Sequence, residues 1–488
     1  MLKKTIFFLL SFLLVLVLSI LFVEFILQII PIISKNIPVS KTKEYVYIIG
    51  ESSSLGEPYC IPNKNISYYR ILEYIIGKKI DNKKINFISL AGAGNSIKTQ
   101  YWKYLIYRYL HPFRKGLAFV YAGKNDWAND SKNVENITIS KIKIFNLIKN
   151  SLFHQNSSFQ YNYEKLILAI KNFGDDIFVA TIEGNYAGFM PHLDAENILY
   201  KEEFSKIDDE ILINKNYEKA KVMLKQLEDK EDSDKSWIYY RYGKIAEFTG
   251  NIKEGNDYFI KGIDLYPNLI PSKYQIDCIR KIAKKYNLPL IDIFDKVYNS
   301  GEIIGFNFYR DNQHPDIKLY ITIAKLFAKA LKDKYGDKIN IEKNNVDEND
   351  IYRNFGFTDE NMYDVYRHSL DVTLVHSKEK NNTNRYVFKQ VEKYLNKVIE
   401  LNPYEGEKKQ AVICYYSMMV EALKGNKDKM LEIYSNNKNI IENNKYNICV
   451  RDCDWEEYNE WVSNYLGIEN FFDLEQSVVM KKKSFFNL

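Results

Sequence analysis

Cysteine is scarce and patternless: Cys60, Cys278, Cys414, Cys449 and Cys453 are the only five. An odd, scattered set excludes a disulfide framework as the organiser of the fold, although Cys449 and Cys453 stand close enough for one bridge. No histidine accompanies that pair, which makes it a poor zinc site; such cysteines otherwise serve as small buried hydrophobes. Histidine is equally sparse. His111, His154, His192, His368 and His376 lack ligand spacing and no His-x-x-x-His occurs, so neither a metal nor a cofactor is expected. The formal net charge is only +5 over 488 residues, with Lys, Asp, Glu and Asn mixed throughout. Without a basic block, a nucleic-acid partner is not expected. No Gly-x-Ser-x-Gly is present, which removes the nucleophile elbow of α/β-hydrolases.

Long apolar runs are also missing, with one exception. Residues 5–33 are nearly all Ile, Leu, Phe and Val, broken by Ser11, Ser19, Glu24, Gln28 and Pro31. A bilayer needs about 20 such residues, so residues 1–33 are expected to form a transmembrane signal anchor. A cleaved signal peptide is the competing reading. Against it, no Ala-x-Ala-like site follows the run, and the run is long for a signal. Lys3 and Lys4 favour a cytoplasmic N-terminus, but Lys35, Lys41 and Lys43 weaken the bias. A short tail ahead of a large trailing region still suggests export, with the catalytic part on the periplasmic side.

The length exceeds what one core usually serves, so several folded units are expected. A polar stalk, 34–43, leads into short apolar segments at 45–49, 85–90, 117–121, 177–182 and 288–293. Near-continuous apolar runs suit strands buried on both faces of a parallel sheet. Helical stretches such as 68–77 and 99–110 alternate with them, giving an α/β, doubly wound, flavodoxin-like domain over 44–335. Residues 204–270 exceed a simple crossover. Within them Gly243, Gly255, Gly262 and Pro267 mark a helical hairpin whose small residues allow close approach. The segment YGKIAEFTGNIKEGNDYFIKGIDLYP resembles a tetratricopeptide unit, although Gly replaces the more usual Ala at two packing positions; an ordinary hairpin is the alternative. Residues 336–350 read as a polar linker. Residues 351–488 then resume helical, more weakly tetratricopeptide-like patterns, with Val391 and Val398 at the small-residue places. Isolated repeats bury little, so they are expected to pack on the catalytic domain or on a protein partner.

Chemistry concentrates at the strand ends, where open parallel sheets bind ligands. The first strand ends in Gly50-Glu51-Ser52-Ser53-Ser54-Leu55-Gly56, the second in Ala91-Gly92-Ala93-Gly94-Asn95-Ser96, the third in Gly123-Lys124-Asn125-Asp126. Asp311-Asn312-Gln313-His314-Pro315 stands before a helical stretch at 317–331. A serine hydroxyl needs a base, and His314 can supply one. Asp311 can hold that imidazole's tautomer and stabilise its charged form. Each block alone has an ordinary explanation as a helix cap or turn.

In order, the set resembles the SGNH (GDSL-type) hydrolase family over roughly residues 44–333, leaving out the helical insertion. The resemblance makes Ser52 the nucleophile, with Ser53 and Ser54 as register alternatives that the distance to Gly56 disfavours. It makes Ser52, Gly94 and Asn125 the oxyanion donors, with Gly92 as rival to Gly94, and Asp311 and His314 the remaining catalytic pair. Glu51 departs from the family's Asp. The implied activity is hydrolysis of an acyl, plausibly acetyl, ester on an extracytoplasmic glycan or lipid. O-acyl transfer to an envelope glycan and a tetratricopeptide scaffold role are the alternatives.

Overall fold

The computed structural model describes residues 2–61, 64–126, 158–191, 199–266, 270–379 and 382–444. Cys449, Cys453, His154, His192, Pro267 and the end of the C-terminal region lie outside them.

Six strands form the main sheet: β1 (Lys43–Gly50), β2 (Lys79–Ile80), β3 (Lys83–Ser89), β4 (Gly116–Tyr121), β5 (Asp176–Ala180) and β6 (Leu290–Ile291). Their order is β2–β3–β1–β4–β5–β6. All neighbours pair in parallel except the edge pair β2–β3. Without that edge hairpin, the order is the flavodoxin-like one, whose switch point lies between β1 and β4. Val46, Ile48 and Ile49 of β1 are fully buried, each contributing about 2 kcal/mol of apolar burial. Gly50 ends β1 because nothing larger fits: a Cβ there would stand 2.1 Å from Ser54 Oγ and 2.3 Å from Tyr121 O.

Layers of helices cover the sheet. They include the short α2 (Ser52–Leu55), α3 (Tyr68–Ile76), α4 (Ile97–Leu110) and α5 (Phe159–Phe173), while α1 (Leu2–Asn36) stands out from them and packs on α4 and α5. The insertion holds α6 (Lys201–Leu212), α7 (Tyr217–Glu228), α8 (Lys235–Phe248) and α9 (Ile252–Leu265). There, α8 and α9 form a tight hairpin, and Gly243 keeps a Cβ from standing 2.6 Å from the Phe259 ring. After α10 (Lys273–Lys285) and α11 (Ile293–Tyr298), α12 (Ile317–Tyr335) packs on α3.

Two segments expected to be loose connectors are docked. Helix α1 is long and apolar enough to cross a membrane, and it runs into the expected stalk, where Ser34 is buried and donates to Phe173 O at 3.2 Å. Residues 336–350 lie against α3: Glu342 N donates to Ile75 O at 2.9 Å, and Ile339 is buried.

The C-terminal region holds α13 (Glu348–Asn354), α14 (Asp359–Ser377), α15 (Phe388–Glu400), α16 (Gly406–Leu423) and α17 (Lys427–Asn444). It builds a second apolar core around Tyr394, Val398, Tyr415 and Met418, yet it also packs on the sheet domain. Tyr394 OH donates to Arg310 O at 2.6 Å, and Arg385 meets Asp209 at 2.7 Å. The insertion is tied in too: Arg241 grips Asp208 with two bonds of 2.8 Å, and Tyr386 OH donates to the same carboxylate.

Candidate active site

The end of β1 turns directly into α2, whose first residue is Ser52. Three adjacent serines face three different ways. Ser54 Oγ donates to Tyr121 O at 3.0 Å, and Ser53 Oγ to Gln313 O at 3.2 Å. Ser52 Oγ lies 2.8 Å from His314 Nε2. The turn before α12 brings His314 there, and Asp311 Oδ2 lies 2.7 Å from its Nδ1.

Asp311 is fully buried. Burial alone would raise its carboxyl, but the charge and hydrogen bond of His314, with a contribution from His368, outweigh it and hold it at about 2. An ionised carboxylate only accepts, so Nδ1 carries the proton and Nε2 presents its lone pair to the Ser52 hydroxyl. His314 is pulled the other way. Burial disfavours its charge, yet Asp311 more than compensates and raises its pKa above the ordinary 6.5. Asp311 Oδ1 also accepts from the backbone N–H of His314 at 2.8 Å and of Gln313 at 3.0 Å, fixing the turn.

The expected oxyanion donors differ in what they already hold. Among the described residues, the backbone N–H groups of Ser52 and Gly94 have no hydrogen-bond acceptor. Gly94 adopts φ +67°, a left-handed backbone that favours glycine, and the space beside it is open. Gly92 differs: its N–H donates to Gly50 O at 3.3 Å, so that donor is already used. Asn125 Nδ2 donates to Asn95 O at 3.1 Å, and its Oδ1 accepts from Gln313 Nε2 at 3.4 Å.

The loops are fastened to each other. Ser96 caps α4 by accepting from Thr99 N at 3.3 Å, and Asp126 takes the otherwise unpaired Ile97 N–H at 2.8 Å. Burial pushes the Asp126 carboxyl up to about 6 against that bond. Glu51 accepts from Gly123 N and so ties the first loop to the third. Burial pushes Glu51 up to about 8, opposed by the Gly123 N–H and reinforced by Asp126. Glu51 thus links the two loops through a carboxyl that burial holds well above the ordinary carboxylate range.

Sequence reasoning passed over three contributors. Lys124 forms a fully buried ion pair with Glu183 at 2.9 Å and donates to Gln313 O at 3.2 Å, bracing the His314 turn. Gln275, from α10, donates to Gly123 O at 3.2 Å. His368, from α14, lies with Nε2 3.9 Å from Asp311 Oδ2, its ring 5.9 Å from that of His314. Lys124 stood in view inside Gly-x-Asn-Asp, but nothing local to Gln275 or His368 pointed here.

Asp311, His314 and His368 each offer one ligand atom, all within 4.8 Å of one another. The expectation of no metal must face that cluster. Both ring nitrogens of His314 are engaged, by Asp311 and by Ser52. A metal taking His314 would have to displace one of these hydrogen bonds, so this arrangement suits proton transfer better than coordination.

Fold and site together define a doubly wound α/β protein with a serine–histidine–aspartate chain at its switch point. No family model and no curated protein matches the sequence. Solved structures with a similar course include a lipase/acylhydrolase from Enterococcus faecalis at 12% identity and TM-score 0.29, covering 62% of this chain and 100% of that one. A GDSL-like lipase from Bacteroides thetaiotaomicron gives 12% and 0.30, covering 61% and 91%. A putative acylhydrolase from Bacteroides fragilis gives 11% and 0.31, covering 62% and 93%. Scores this low carry no functional weight, which rests on the geometry alone.

Proposed function

We propose that this chain is a serine esterase of the SGNH type. The carrying observation is the unbroken hydrogen-bond chain from Ser52 through His314 to Asp311, 2.8 Å and then 2.7 Å, at the carboxyl end of β1. In this reading Ser52 Oγ attacks the acyl carbon while His314 Nε2 takes its proton. The oxyanion gathers the N–H groups of Ser52 and Gly94 and the Asn125 amide. His314 then returns the proton to the departing alkoxide as the ester C–O bond breaks, leaving an acyl-serine. Water, deprotonated by the same imidazole, attacks the acyl carbon; the bond to Ser52 Oγ breaks, Oγ takes the proton back from His314, and the acid leaves.

The substrate in this proposal is an acyl ester, an acetyl ester first of all, on an extracytoplasmic glycan or lipid, reached by an enzyme held to the membrane through α1. Turnover of p-nitrophenyl acetate by the purified full chain tests the chemistry. Ser52→Ala should abolish it; unchanged turnover would remove Ser52 from the mechanism.

Transfer of the acyl group to a sugar hydroxyl is the second reading. It is favoured by the low exposure of Ser52 and His314, 6% and 8%, beneath helices that would limit water. Measuring how acyl product divides between free acid and acylated glycan separates the two; free acid alone counts against transfer. The tetratricopeptide-like reading of the insertion and of the C-terminal region, with a protein partner, is a third proposal. Its support is the helical hairpin with glycine at the contact. Loss of a co-purifying partner on deleting 350–488 would sustain it, and retention would count against it.

A further inference from the structure

Helix α1 is bare along its first part and held along its last. Its most apolar 18-residue stretch has mean hydropathy 2.8 and none of it is buried. The change comes at Glu24 and Gln28, which hydrogen-bond each other at 2.5 Å. From Leu27 onward the helix is held: Tyr109 OH donates to Leu27 O at 2.9 Å, and Arg108 Nη2 reaches Ser34 Oγ at 2.6 Å. Lys115 Nζ donates to Lys35 O at 3.1 Å. Residues 2–23 rise about 33 Å as a helix, close to the hydrocarbon thickness of a bilayer. The folded domain is therefore clamped onto α1 from within about a turn of Glu24, the charged residue that breaks the apolar run.

Helix α4, which supplies Arg108 and Tyr109 to this clamp, carries a second apolar face. Ile106 and Leu110 are four apart, on one side of the helix, and are 58% and 71% exposed. Trp102, one further step back, is half-buried, and Phe113, just past the helix end, is 71% exposed. Arg108 points the opposite way, buried against Asp175 at 2.9 Å. Exposed large side chains in a row are costly in water unless something covers them. Lys115, whose Nζ bonds Lys35 O at the end of α1, and its neighbour Arg114 supply cations suited to lipid phosphates.

We propose that Trp102, Ile106, Leu110 and Phe113 form a membrane-seating face, by which the domain rests in the bilayer interface beside α1. The occupant is lipid because this face belongs to the helix whose Tyr109 bonds Leu27, next to where the bare length of α1 ends, and aromatic and aliphatic side chains near cations suit that depth. The domain would then be held at a fixed height and orientation, not swung on a flexible tether. This rests on α1 crossing the membrane.

The test uses the full chain in liposomes of phosphatidylcholine and phosphatidylglycerol, with a photoreactive residue at one position at a time. The replacements are Leu110→p-benzoylphenylalanine and Phe113→p-benzoylphenylalanine, with the same change at Leu16 and at Val222. Val222 is an exposed apolar residue of α7 with no contact to α1 described. On irradiation, positions 110 and 113 should give phospholipid adducts at a yield near that of position 16 and well above that of 222. Adducts at 16 with 110 and 113 no better than 222 would overturn the seating face. Absence of adducts at 16 as well would overturn the span and the face together. In either failure, the esterase reading stands untouched, because it is read by turnover.

Discussion

His368 Nε2 lies 3.9 Å from the same Asp311 oxygen that His314 Nδ1 holds at 2.7 Å. One carboxylate thus faces two imidazoles, one from the turn before α12 and one from the C-terminal helix α14. The C-terminal region reaches the innermost member of the site. His368→Ala should lower kcat/KM by about fivefold, roughly 1 kcal/mol, as Asp311 loses part of its electrostatic support. His314→Ala should remove turnover altogether. Steady-state kinetics on a nitrophenyl ester compares the two.

Asn125 tests the oxyanion site. Asn125→Ala removes one amide donor while leaving Ser52, His314 and Asp311 in place. A fall of about 10²–10³ in kcat with little change in KM is expected, as for loss of a donor that acts in the transition state. A change in KM alone would mean that Asn125 only binds substrate.

Glu51 makes stability depend on pH in an unusual direction for a carboxyl group. Its pKa rises from 4.5 to about 8 on folding, because burial penalises the charge. The folded state therefore holds the proton more tightly than the unfolded chain, and stability from this group is complete below 4.5 and lost as pH rises through about 8. Glu51→Gln mimics the protonated side chain and keeps an acceptor for Gly123 N–H. Urea titrations at several pH values should show the variant losing less stability than the parent between about pH 4.5 and 8.

The buried Lys124–Glu183 pair predicts a specific non-additivity. Breaking it from one side strands a charge in a dry interior, so Lys124→Met should cost about 3–5 kcal/mol. Lys124→Met with Glu183→Leu should recover much of that loss. Denaturant unfolding of the two singles and the double measures the coupling.

Local pattern carried most of the sheet and the turn chemistry. The buried strands were visible as apolar runs; Gly50 and Ser52 stood at the end of β1 and Asn125 just past β4, and Asp311 and His314 stood in the turn before α12. The edge strand β2 escaped because it is two residues long, although its turn at Asp81 and Asn82, both at positive φ, left an Asp-Asn signal. The last strand was read too long: only Leu290–Ile291 pair, and Pro289 just before them lacks the N–H a ladder needs. What lay furthest from view depends on tertiary contact. His368 sits in an ordinary helical sequence, and only the packing of α14 brings it to Asp311. The stalk and linker looked loose because they are polar, yet Ser34 and Ile339 are buried by partners remote in sequence.

The central claim is that Ser52, and neither of the two serines after it, is the nucleophile. Labelling the full chain with a fluorophosphonate and mapping the modified peptide tests this most directly. The adduct should fall on Ser52 Oγ, vanish in Ser52→Ala and His314→Ala, and persist in Ser53→Ala. An adduct on Ser53, Ser54 or any other serine, or undiminished labelling of Ser52→Ala, would contradict the account.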